Sequence, residues 1–170
     1  MNLTNSNTAS LNLYCLSQKA DEVAANEGFL AATKFVGEIA TLQLLRDGLN
    51  DEKDLIRRAS LTLLTYLDFD LTYDLMVETL YKDDSVLIRH QAAFYLGAPR
   101  NKRAIQPLIK SLQTDSSPLV RHEAAEALGT IGSSAALEAL LKAKQDQDYQ
   151  VVETAEYSIK QILWAQTAKE

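Results

Sequence analysis

Two stretches, IRHQAAFYLG at 88–97 and VRHEAAEALG at 120–129, decide how this chain is read. They stand 32 residues apart and hold both histidines of the chain, His90 and His122, at matching places. Self-similarity at a fixed period of this length marks a repeat architecture. Arg57, Arg89 and Arg121 keep it, as do Leu55, Leu87 and Leu119, and Ile56, Ile88 and Val120. Ala92-Ala93 aligns with Ala124-Ala125, Leu96-Gly97 with Leu128-Gly129, and Leu108-Ile109 with both Leu140-Leu141 and Met76-Val77.

Each unit reads as helix, short break, helix. Gly97 and Gly129 are expected to end the first helices, since glycine accepts positive φ. Asp83, Asp84 and Ser85, then Asp115, Ser116 and Ser117, fit caps before the next first helix, with Pro118 in its first turn. The last unit, QDYQVVETAEYSIKQILW, needs a one-residue slip that matches Val151 to Val120 and Ala155 to Ala124. An earlier unit from about Asp21 keeps Leu42, Leu44, Leu45 and Leu49 of a second helix. One pair of short helices cannot bury its own apolar face, so the pairs must stack. The expected fold is all-α: an α-α superhelix, or repeat solenoid, of about four to five helical pairs. Residues 1–20 are expected as a flexible or capping leader and 21–170 as the repeat domain.

Composition agrees with this reading and excludes several functions. The chain has 170 residues, of which 46% are hydrophobic, and only three prolines and six glycines. Its net charge of −6 argues against general nucleic-acid binding, which needs clustered Lys and Arg. The single cysteine, Cys15, allows no internal disulfide and no cysteine-based zinc site. The start carries no basic, apolar signal pattern, and no stretch approaches membrane-spanning length. A cytoplasmic location is expected, with no membrane and no nucleic-acid partner.

The quoted stretches, with RAIQPLIKSLQTD and VVETAEYSIKQILW, resemble HEAT-like repeats of the short type found in phycobilin lyases and in deoxyhypusine hydroxylase. Over roughly residues 55–165 the likeness is to one half of the latter. That family resemblance implies His-Glu pairs holding a di-iron centre between two facing halves. Here it carries over to His90, His122 and Glu123 as metal ligands and stops there, because Gln91 stands where the second pair needs a carboxylate. A neutral amide is a poor iron ligand.

Helical geometry speaks to the same residues without the family. At about 100° per residue, Val120, Ala124, Ala127, Leu128 and Ile131 form one apolar stripe, and His122 falls roughly 175° from its centre. Glu123 lies nearer the boundary. In the preceding unit Ile88, Ala92, Tyr95 and Leu96 are expected inside, with His90 and Phe94 on the open face. Stacking then gives one row of Arg58, His90, His122 and Glu153, and a second of Thr62, Phe94, Glu126 and Tyr157. Aromatics without a core role are enriched at interfaces. Arg58, His90, Phe94, His122, Glu126 and Tyr157 are therefore the expected partner-binding residues.

Arg57, Arg89 and Arg121 are expected to pair with the aspartate-rich turns at Asp83, Asp84, Asp115 and Asp148, and Trp164 to pack as a C-terminal cap. No nucleophile triad or phosphate loop is visible. The reading is an interaction module without cofactor or catalytic residues, whose partner is another protein. The resemblance supplies two alternatives: a lyase-like or chaperone-like protein of phycobiliprotein assembly, and a half-site, iron-dependent oxygenase completed by a homodimer or a second chain.

Overall fold

The computed structural model describes residues 37–167. Among these the regular elements are helices α1 (Glu38–Leu49), α2 (Asp54–Leu64), α3 (Phe69–Lys82), α4 (Val86–Gly97), α5 (Ile105–Thr114), α6 (Pro118–Ile131), α7 (Leu137–Ala143) and α8 (Tyr149–Thr167). Single 3-10 turns, Lys102–Ala104 and Ser134–Ala136, lead into α5 and α7. The fold is an all-α helical repeat solenoid. The expected leader at 1–20, Cys15 included, lies outside the described residues.

The chain divides within α3, after Leu75, into two compact units. In the first, α1 packs on α2 around Leu45, Ile56, Leu61, Leu63 and Leu64, all buried. Of the other leucines expected in this second-helix pattern, Leu42 and Leu49 are half-buried and Leu44 is exposed. Arg57 bonds Asp54 at 2.6 Å and the carbonyls of Asp51 and Glu52.

In the second unit the repeat is regular. The first helices α4, α6 and α8 lie side by side, α6 packing against both neighbours, while α5 and α7 form the other row, packing on α6 and α8 respectively and on each other. Ile88, Leu96, Val120, Leu128, Val151 and Ile162 close the core from the first helices, and Leu108, Leu112 and Leu140 from the second. Each such side chain contributes about 1.5–3 kcal/mol by leaving water. Ile109 and Val77 are half-buried and Leu141 is exposed, so in Met76-Val77, Leu108-Ile109 and Leu140-Leu141 the first residue faces the core. Tyr95 and Ile131, expected inside, are half-buried. The Tyr95 hydroxyl instead accepts a hydrogen bond from Gln91 Nε2 at 2.8 Å.

Gly97 and Gly129 do not end their helices by positive φ. Gly97 is the last residue of α4, Gly129 lies inside α6, and both are buried. They are small because the next helix touches them. A Cβ on Gly97 would meet Ala127 Cβ at 2.5 Å, and one on Gly129 would meet Ser158 Oγ at 2.5 Å. The left-handed cap of α6 is Gly132, at φ 71°.

The serines before α4 and α6 occupy the cap positions but make no side-chain cap bond. The aspartates organise these turns instead. Asp83 Oδ1 accepts from Ser85 N, Asp115 Oδ1 from Ser117 N, and Asp146 Oδ1 from Asp148 N. Such Asx turns order the loop by a side-chain bond to the backbone two residues on.

Candidate functional site

The arginines of the repeat turn away from the open face and tie successive turns together. Arg89 forks onto Asp115 (2.9 and 3.0 Å) while its Nη1 donates to the carbonyls of Asp83 and Asp84. Arg121 does the same with Asp146 (both 2.8 Å) and the carbonyls of Asp115 and Ser116. The expected pairing with aspartate turns holds in kind, but the partner of Arg121 is Asp146 rather than Asp148. Asp146 carries the Oδ pair that faces the guanidinium, and Arg121 holds its carboxyl below the usual range.

The histidines form a second ladder from the next position of the same helices. His90 Nε2 on α4 lies 2.9 Å from Glu123 Oε2 on α6. One unit on, His122 Nδ1 lies 2.8 Å from Thr154 Oγ1 on α8. With the slip of the last unit, Thr154 occupies the place of Glu123. The repeat therefore pairs each histidine with the residue one place further along in the next helix. With its proton on Nε2, His122 accepts from the Thr154 hydroxyl and turns an N–H toward Glu126 Oε2, 3.7 Å away.

Glu123 is only 7% exposed, which places it in the α4–α6 seam rather than at the stripe boundary. Burial, and secondarily the neighbouring Glu126 carboxylate, pushes its carboxyl up to about 7. Burial and the nearby His122 lower the pKa of His90, against an opposing pull from Glu126. Both effects favour one shared proton between His90 and Glu123 over an ion pair.

Around this ladder lie the remaining expected residues. Phe94 is 51% exposed and touches the Tyr95 ring, with centroids 5.6 Å apart. Tyr157 is 61% exposed on α8, and Glu126 is exposed on α6 between those two helices. His90 and His122 are half-buried. Arg58 is exposed on α2, in the other unit. Trp164, expected to pack as a cap, is 75% exposed instead. Its turn of α8 buries Ile162, and Trp164 falls on the opposite side. Helical phase from Val151, Ala155 and Ile162 carries that signal in the sequence. Thr154 was missed because its partner His122 lies in another unit.

The di-iron chemistry implied by the hydroxylase resemblance can be tested against this donor set. His90 Nε2 and Glu123 are turned on one another, His122 is engaged by Thr154 and Glu126, and Gln91 bonds Tyr95. Among the described residues no three or more His, Cys, Asp or Glu side chains converge as a metal site would require. The residues present do not fit the group.

Comparison with known proteins agrees with the architecture. Residues 73–160 match the family profile of HEAT repeats. The structure of human deoxyhypusine hydroxylase in complex with glycerol superposes with a TM-score of 0.70 at 33% identity, over 79% of this chain and 48% of that one. The chain thus spans about half the length of that enzyme. An engineered protein matches over 96% of this chain and 93% of its own, at 16% identity and a TM-score of 0.56, and shows the fold alone. No curated protein matches. None of the described helices is long and apolar enough to cross a membrane. With the profile covering more than half of its residues, this chain belongs to the HEAT repeat family.

Proposed function

We propose that the chain is a protein-interaction module and that its contact face is the outer side of α4, α6 and α8. One observation carries this reading. Phe94 and Tyr157 stand exposed at repeat-equivalent positions on helices whose opposite faces are packed to completion. Large aromatic groups held on a rigid scaffold, ringed by polar side chains, are the usual anchors of protein recognition. His90, His122 and Glu126 supply that polar surround, and their hydrogen-bonded ladder fixes the spacing between the anchors.

The test is site-specific photo-cross-linking in cell extract. Probes at positions 94 and 157 should trap one and the same protein, whereas a probe at Leu141, exposed on the other row of helices, should not. Cross-links of equal yield from all three positions, or none from 94 and 157, would refute the reading. Elemental analysis of protein purified without chelators runs beside it. Near-stoichiometric iron, lost in His90→Ala and His122→Ala, would favour the half-site oxygenase instead. Visible absorbance on mixing with a bilin would favour the lyase-like alternative.

A further inference from the structure

Most basic side chains of the Met76–Glu170 unit are already engaged. Lys82 is bonded to Glu78, Arg89 to Asp115, Arg121 to Asp146, Lys142 to Glu138 and Lys144 to Glu156, while Lys110 lies over the Tyr81 ring. Among the described residues of this unit, Arg100, Lys102 and Lys160 have no such partner. Lys160 stands by itself on α8, whereas Arg100 and Lys102 share the exposed loop between α4 and α5. No aspartate or glutamate occurs from Ser85 to Thr114, and the equivalent loop one unit on, Gly132-Ser133-Ser134-Ala135, carries no charge. Arg100 also holds a costly backbone. Its φ is 55°, a left-handed value that a side chain disfavours, and one unit later the repeat places Gly132 there at φ 71°. The turn itself is pinned. Arg100 N donates to Gly97 O, and Asn101 accepts from Arg103 N on Oδ1 and from Ala104 N on its carbonyl, each at 3.0 Å. Backbone strain kept on a fixed turn, by a side chain that bonds nothing in its unit, is characteristic of functional positions.

We infer that Arg100 and Lys102 take a short acidic segment of the partner protein, its carboxylates paired with the guanidinium and the ammonium. This rests on the interaction role proposed above, and the loop adjoins that face. Ala98 N donates to Phe94 O, so exposed Phe94 stands one helical turn before the loop. Arginine forks onto carboxylates, and a preset turn spares the cost of ordering it on binding. Arg100 and Lys102 are two residues apart, about 7 Å at most along the chain. Alternate residues of an extended segment repeat at about 6.6 Å, so acidic residues two apart match the pair. The net charge of −6 disfavours a long polyanion such as nucleic acid, whose further phosphates would meet carboxylates beyond the loop. A short segment escapes that repulsion, because exposed charges more than about 8 Å away are largely screened at physiological salt.

The test uses the full chain and three fluorescein-labelled peptides of equal length, repeating Leu-Glu-Ala-Glu, Leu-Gln-Ala-Gln or Leu-Lys-Ala-Lys, read by fluorescence anisotropy. The glutamate peptide should bind tightest, and Arg100→Gly and Lys102→Gln should each weaken it at least about fivefold. Lys142→Gln removes the same charge from exposed Lys142 on α7 and should change affinity less than about twofold. Arg100→Gly should also melt no lower than wild type, since glycine relieves the left-handed backbone. A lower midpoint would assign the arginine to the fold and overturn the proposal. Equal losses from Lys102→Gln and Lys142→Gln would mean diffuse charge attraction and overturn it too. Tighter binding of the glutamine or lysine peptide, weakened by Phe94→Ala, would preserve the contact face and reject the acidic partner. Glutamate binding that needs Arg100 but is indifferent to Phe94→Ala and Tyr157→Ala would uphold the loop and reject the face. Binding of no peptide, or binding indifferent to all of these changes, would reject both.

Discussion

Replacing Gly97 with alanine is the sharpest probe of the repeat seam. On helix propensity alone the change should stabilise α4 by about 0.5–1 kcal/mol, because glycine gives up the most backbone freedom. The packing predicts the opposite sign. The new methyl would lie 2.5 Å from Ala127 Cβ and 2.8 Å from Ala127 Cα, against roughly 3.5–4.0 Å for comfortable carbon contact. Neither atom can swing aside, since one is backbone and the other has no rotamer. The α4–α6 seam must open by about 1 Å, loosening Ile88, Leu96, Val120 and Leu128 together. Overpacking of this kind costs about 1–3 kcal/mol, so the net loss after the propensity gain is up to about 2.5 kcal/mol. Urea denaturation followed by circular dichroism measures it. Pairing the change with Ala127→Gly removes the Cβ collision and should recover at least about 0.5 kcal/mol beyond additivity. A Gly97→Ala protein more stable than wild type would refute the close seam.

Glu123 gives a pH test. Its carboxyl titrates at about 7 in the fold and near 4.5 unfolded, so between those values the native state binds more protons and stability falls as pH rises. The ceiling is about 3 kcal/mol, and residual solvent reduces it to about 1–2. His90, with its lowered pKa, acts with the opposite sign below about 6.5. Glu123→Gln should therefore gain on wild type steadily from pH 5 to about 7.5, and parallel stability curves would count against a buried, protonated Glu123. Asp146→Asn should cost about 1–3 kcal/mol at neutral pH by unpairing Arg121, the penalty shrinking in acid as wild-type Asp146 itself protonates; chemical denaturation at two pH values decides this. Leu128→Ala should cost about 2–5 kcal/mol, while Trp164→Ala should stay within about 0.5; similar melting shifts for the two would undo the burial assignments.

The repeat was legible because a 32-residue period preserves the apolar stripe of the central units, and Ile88, Leu96, Val120 and Leu128 are buried where the helical phase puts them. The outer positions of Phe94 and Tyr157 follow from the same phase. What one helix cannot reveal is which neighbour its boundary residues meet. Glu123 looks like an edge residue on the α6 wheel and is buried because α4 brings His90 over it. Gly97 and Gly129 look like helix stops, since glycine serves both turns and close approach, and only the facing Ala127 and Ser158 distinguish the two. Asp146 rather than Asp148 receives Arg121 because the last unit is one residue out of register.

The forked arginines also give the Met76–Glu170 unit a load path. Arg89 grips its own turn at Asp83 and Asp84 and the next at Asp115, and from the Asp115 and Ser116 turn Arg121 reaches on to Asp146. A pull on α8 relative to α4 meets these clasps in series, while the neighbouring positions of the same helices carry the single His90–Glu123 and His122–Thr154 bonds. Under tension the single histidine bonds should part before the forked arginine clasps at the turns give way.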